Sequence, residues 1–84
     1  MNKVIELQII NNYSVKVKFK DGFEGEIDLK PMLGKGIAEE LLNEQKFKTL
    51  IIEPGGGIAW ENGYDICPNY LRELVEQEVE SKVA

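Results

Sequence analysis

Trp60-Glu61-Asn62-Gly63-Tyr64-Asp65-Ile66-Cys67-Pro68 is the stretch of this 84-residue chain that decides how the rest is read. It holds the chain's one tryptophan, an Asn-Gly pair, an acidic anchor and a proline placed to open a helix. Asn-Gly adopts positive φ readily, so a strand can reverse tightly there. Proline at the first helical position loses no hydrogen bond, because that N–H has no acceptor inside the helix. The stretch therefore reads as strand, turn, short strand and helix entry. Its residues are expected to shape backbone rather than to carry out a reaction.

Toward the C-terminus the apolar period becomes helical. Leu71, Leu74, Val75 and Val79 form a stripe that Val83 continues, while Arg72, Glu73, Glu76, Gln77 and Glu80 make the wet face. The spacing predicts an amphipathic helix over 68–83, about 22 Å long as far as Lys82. Its first turns should pack on a sheet. Its last two should overhang so small a body, leaving Val79 and Val83 for a partner.

Toward the N-terminus the period is two. Ile5, Leu7 and Ile9 alternate with Glu6 and Gln8; Tyr13, Val15, Val17 and Phe19 alternate with Ser14, Lys16 and Lys18. Phe23, Gly25, Ile27 and Leu29 alternate with Glu24, Glu26 and Asp28. Three half-buried strands in an antiparallel meander are predicted. A two-residue loop at Asn11-Asn12 would set Leu7 opposite Lys16 and mix the faces, which side-chain pairing forbids. Three-residue loops, Ile10-Asn11-Asn12 and Lys20-Asp21-Gly22, avoid this. The expected apolar partners are Ile9–Tyr13, Leu7–Val15 and Phe19–Phe23. On the wet face Lys16 should lie between Glu6 and Glu26, and Lys18 opposite Glu24.

Between the meander and the quoted stretch, Pro31 leads a turn that Gly34 and Gly36 end. Ile37–Leu42 is a short helix candidate, with Ile37, Leu41, Ala38 and Leu42 on its buried side. Asn43 is a natural cap for a further turn reaching Phe47. Residues 49–53 and 58–61 read as a hairpin across Pro54-Gly55-Gly56-Gly57. Asp28-Leu29-Lys30-Pro31 and Asp65-Ile66-Cys67-Pro68 echo one another, each ending a strand and opening a helical turn; the shared aspartate would favour positive helix-end N–H groups. The fold class is α+β: a three-stranded antiparallel meander, short helices, a second β-hairpin and a C-terminal amphipathic helix. One domain is expected over 1–84, a β-rich body at 1–67 and the helix at 68–83.

Composition narrows the chemistry. Ten basic and fifteen acidic side chains give a net charge of −5, which argues against phosphate-backbone binding by this chain alone. With one cysteine, Cys67, no intrachain disulfide can form, and with no histidine neither imidazole metal sites nor Ser-His and Cys-His pairs exist. No cofactor or metal is expected. Cys67 is read as an inert thiol, although its place before Pro68 would favour a thiolate. Met1-Asn2-Lys3 leads straight into the first strand, with no signal-type run and nothing near a membrane span, so a cytoplasmic location is expected.

Three features invite a functional reading. Asp65 and Glu61 flank the Asn62-Gly63 turn and are the pair to test as acid and base. A solvated Glu61 with an Asp65 that orders the helix entry is the favoured reading, because a catalytic pair also needs a pocket and shifted pKa values. Gly55-Gly56-Gly57 resembles a phosphate cradle only superficially, because Ile58-Ala59-Trp60 after it is strand-like where a phosphate loop opens a helix. Trp60 and Tyr64 either form an aromatic ledge or pack under the terminal helix, and the second is favoured. The candidate ligand or interaction residues are thus Trp60, Asn62, Tyr64, Asp65, Val79 and Val83, with no catalytic set among them.

The ordered motifs Asp21-Gly22, Ile27-Asp28-Leu29-x-Pro31-x-Leu33 and Trp60-x-Asn62-Gly63-x-Asp65-Ile66-x-Pro68-x-x-Leu71 resemble a bacterial family, Domain of Unknown Function 2442. The resemblance spans roughly Val4 to Leu71. The chain departs from it at Glu61, where the family often has proline, and in the helix beyond Leu71. The resemblance implies a small α+β fold, no established activity, and genes that often neighbour another small uncharacterised family in a toxin–antitoxin-like arrangement. It carries over no catalytic residue. The expectation is a non-catalytic protein-interaction or regulatory module, antitoxin-like, whose partner is a co-encoded small protein or a second copy. The alternative is a small-molecule-binding or enzymatic domain using the Trp60–Asp65 turn. DNA binding would need a partner that supplies positive charge.

Overall fold

The computed structural model describes the backbone of residues 2–83 and the side chains of 2–80. Alternation builds the first sheet as expected, in the order β1 (Val4–Asn11), β2 (Ser14–Phe19), β3 (Glu24–Asp28), all antiparallel. In the β2–β3 hairpin Val15 faces Ile27, Lys16 faces Glu26 and Lys18 faces Glu24. The Phe19 N–H donates to Phe23 O at 2.8 Å, closing the predicted three-residue loop.

The first hairpin differs. β1 runs on to Asn11, which faces Ser14, so the turn is Asn12-Tyr13 and Asn12 takes the positive φ of 43°. Leu7 faces Val17 and Ile9 faces Val15, a slip of two residues from the expected register. A slip of two leaves each side chain on its face, so alternation cannot detect it. On the wet face Lys18 pairs with Glu6 at 3.5 Å, while Lys16 faces Gln8 and pairs diagonally with Glu24 at 3.6 Å. The β1–β2 ladder also slips between Val4 and Glu6, and Ile5 is turned outward there while Val4 is buried opposite Phe19. Ile5 was expected inside; the bulge reverses it.

Two 3-10 helices follow, Lys30–Met32 and Gly36–Leu42. A 3-10 helix repeats every three residues, so Ala38 and Leu41 share its buried face while Ile37 and Leu42 point out. The wider α-helical face that would have buried all four is not formed. Asn43 caps α1 (Glu44–Phe47) as expected, its side chain accepting from the Gln45 and Lys46 N–H groups. Thr49 and Leu50 complete that helix's end by donating to Lys46 O and Phe47 O. The next strand is therefore shorter than 49–53.

β4 (Ile51–Ile52), β5 (Ile58–Ala59) and β6 (Asp65–Ile66) make a second antiparallel sheet in that order. The expected hairpin is thus extended by the short strand after Asn62-Gly63. The Val4 N–H donates to Gly56 O at 2.9 Å, joining β1 to the β4–β5 turn. Gly56 sits at φ 96°, and a Cβ there would lie 2.7 Å from Lys3 Cα, so the close approach of the two segments needs glycine.

α2 (Pro68–Val83) packs on β3 with Leu71 and Val75 fully buried. The contact passes over Gly25, where an added Cβ would meet Val75 Cγ1 at 2.6 Å and Val79 Cγ2 at 3.4 Å. Arg72 fastens the same helix to the β2–β3 turn. Its guanidinium lies 4.1 Å from the Phe23 ring centre and donates to both Asp21 oxygens at 3.1 and 3.0 Å. The Phe23 N–H bond to Asp21, and then Arg72, hold that carboxyl below its ordinary 3.8. Residues from both sheets and from α1, α2 and the second 3-10 helix join in one core. The radius of gyration is 12.2 Å.

Candidate functional site

The Trp60–Asp65 turn is built by backbone first. The Trp60 N–H donates to Tyr64 O at 2.9 Å and the Gly63 N–H to Trp60 O at 3.1 Å, with Gly63 at φ 94°. Side chains then fasten it to its surroundings. Trp60 is buried, and its indole N–H donates to Phe47 O at 2.8 Å. Its ring lies 5.7 Å from that of Phe47 and 5.5 Å from that of Tyr64. Tyr13 meets Phe47 edge-on at 5.3 Å and donates its hydroxyl proton to Leu42 O. Trp60 is therefore core, as favoured, but α1 rather than the terminal helix supplies its anchors.

Asn62 links the turn to the second 3-10 helix. Its Nδ2 donates to Ile37 O at 2.8 Å and to Glu40 Oε2 at 3.0 Å, while its Oδ1 accepts from the Tyr64 N–H at 3.0 Å. Both amide protons and the carbonyl are thus engaged. Tyr64 is half-buried; burial first, then Tyr70 and Asp65, push its hydroxyl above the ordinary 10.0. It stays protonated at neutral pH and serves as no base there. Asp65, Glu61 and Cys67 are exposed. At the first half of the echoed motif, Asp28 accepts from the Lys30 N–H at 3.0 Å, directly before the first 3-10 helix.

These residues do not converge. Trp60 points inward, Asn62 bridges sideways and Asp65 faces solvent. Val79 lies half-buried on α2 beside Gly25, and the Val83 side chain falls outside the described residues. Beside Asn62 is a cleft of about 240 Å3, lined by Glu40, Leu41, Lys46, Thr49, Glu61 and Asn62. Small-molecule sites usually start near 300 Å3. Among the described residues every buried side-chain nitrogen and oxygen has a hydrogen-bond partner, and no three acidic or cysteine side chains gather to hold a metal. No helix among them is long and apolar enough to cross a membrane.

A surface feature escaped the reading of the sequence. Ile5 and Ile10 of β1 and Ile51 of β4 are exposed on neighbouring strands. Ile5 and Ile10 stand where the β1 ladder slips, and a bulge in β1 could not be read from alternation.

Residues 4–77 match the model of the family described as Protein of unknown function (DUF2442), and the chain belongs to that family. No curated protein and no solved structure matches the chain.

Proposed function

We propose that this chain is a non-catalytic protein-interaction module, an antitoxin-like or regulatory partner of a small protein encoded beside it. One observation carries the reading: Ile5, Ile10 and Ile51 are 49, 41 and 59 % exposed on the adjacent strands β1 and β4. Single exposed apolar residues are ordinary on any surface, but three large ones on two neighbouring strands are what a partner would cover. Association would also add burial to a domain whose small size leaves little margin. The polar groups of the distinctive turn support the same reading, because Asn62 and the Trp60 indole hold neighbouring backbone in place. A net charge of −5 favours a partner with a basic rim.

Co-expression with the neighbouring gene product, followed by affinity capture, tests this. The parent should retain the neighbour, and the double variant Ile5→Lys/Ile51→Lys should lose it while unfolding at the same temperature. Capture unaffected by the double variant, or no capture by the parent, would end the proposal. A second copy is the rival occupant; light scattering would then report a dimer in the absence of the neighbour.

A second reading, ligand binding or catalysis at the turn, draws on the cleft beside Asn62. Quenching or shift of the Trp60 fluorescence by a metabolite set would favour it.

A further inference from the structure

Asn62-Gly63 is the chain's one Asn-Gly pair. With no side chain on the second residue, the glycine nitrogen can reach the asparagine side-chain carbonyl carbon. In that reaction the Gly63 nitrogen gives its proton to hydroxide and attacks Cγ of Asn62. The N–Cγ bond forms, the Cγ–Nδ2 bond breaks, and Nδ2 leaves as ammonia with a proton from water. One further water opens the resulting succinimide at either carbonyl. The net change is amide plus water to carboxylate plus ammonium, on an aspartate or an isoaspartate backbone.

Each reacting atom is held elsewhere in the fold. The Gly63 N–H donates to Trp60 O at 3.1 Å, which keeps the nucleophile protonated and aimed away. The leaving nitrogen, Nδ2, donates to Ile37 O at 2.8 Å and to Glu40 Oε2 at 3.0 Å. Oδ1 accepts from the Tyr64 N–H at 3.0 Å, which fixes the side-chain rotamer. Two of these four bonds come from the second 3-10 helix, 22 to 25 positions away in sequence.

We infer that Asn62 is a spontaneous deamidation site guarded by the second 3-10 helix, and that its conversion to the acid releases that helix. An oxygen in the place of Nδ2 faces the Glu40 carboxylate and the Ile37 carbonyl, so a donor meeting two acceptors becomes three acceptors with no donor. Two carboxylates at hydrogen-bond distance disfavour joint ionisation strongly. The other charged groups lining that cleft are Lys46 and Glu61, one of each sign, so they do not compensate the added charge. The change is one-way because the ammonia is lost, so the contact with the helix is not regained. Isoaspartate goes further, since its added backbone methylene breaks the turn that pairs Trp60 with Tyr64.

The test follows Asn62 by peptide mapping in the full chain, held at mildly alkaline pH. Three samples are compared: the folded parent, the parent unfolded in urea, and the folded Glu40→Ala variant. The unfolded chain should convert fastest, and Glu40→Ala about fivefold faster than the folded parent, the scale of one lost hydrogen bond. Separately, Asn62→Asp should melt below the parent, and Asn62→Asp/Glu40→Gln should recover much of the loss. Equal rates in folded and unfolded parent, a Glu40→Ala rate equal to the parent's, or Asn62→Asp as stable as the parent would each overturn the inference. Should Asn62→Asp fail to fold, the rate comparison decides alone.

Discussion

At the scale of single residues, Trp60 shows how a large side chain is fixed by its one polar atom. Its indole N–H satisfies the Phe47 carbonyl in a buried setting. Trp60→Phe should destabilise the protein by about 1–3 kcal/mol in urea unfolding, because a buried hydrogen bond and part of a buried ring are lost together. The Phe47 carbonyl then keeps only the longer bond from the Leu50 N–H at 3.3 Å. Asp21 offers a pH test. The Phe23 N–H and Arg72 lower its folded pKa, so its contribution is complete above the ordinary value of 3.8 and is lost as pH falls through the folded value. Asp21→Asn should accordingly flatten the acid limb of the stability–pH curve, measured by thermal melts at stepped pH. The burial of Trp60 was legible in sequence, since a small domain seldom leaves its one tryptophan outside the core. Its contact with α1 was not, because ring partners depend on how distant elements meet.

At the scale of elements, the docking of α2 on β3 depends on an absent side chain. Gly25 lies on the inward face between Glu24 and Glu26, and Val75 occupies the space a Cβ would need. Gly25→Leu should lift the helix and cost about 1–3 kcal/mol by overpacking, with loss of hydrogen-exchange protection concentrated in α2. Leu71→Ala, on the same buried stripe, should cost about 2–5 kcal/mol in equilibrium unfolding through the cavity left behind. Most elements could be read from period and caps: the meander from alternation, α1 from Asn43, α2 from Pro68 and the stripe at Leu71, Leu74 and Val75. The register of β1 could not. Registers that differ by two residues share the same inside and outside, and in the observed one Tyr13 lies in the turn with its ring against Phe47 and its hydroxyl donating to Leu42 O.

At the scale of the whole molecule, β1 lies beside β4 and three of the exposed large apolar side chains, Ile5, Ile10 and Ile51, stand on these two strands. The proposed partner would cover them. Ile5→Lys/Ile51→Lys should raise solubility and abolish capture of the neighbour while the melting temperature stays within a few degrees, as surface substitutions usually do. A large fall in melting temperature would instead assign these side chains to the fold. The apolar stripe of α2 is a weaker candidate for that face, since Leu71 and Val75 are taken up by the sheet and Val79 is half-covered.

Local rules sufficed for what depends on neighbours in the chain. Alternation, the Asn43 cap, the Asn-Gly turn and Pro68 determined an α+β body ending in an amphipathic helix, because each acts within a few residues. Only the tertiary structure decided the slipped register of β1, the outward turn of Ile5, the lodging of Trp60 against α1 and the hold of Glu40 on Asn62. Those outcomes follow from packing between segments far apart in sequence, where residues of equal polarity and period compete for the same place and shape selects among them.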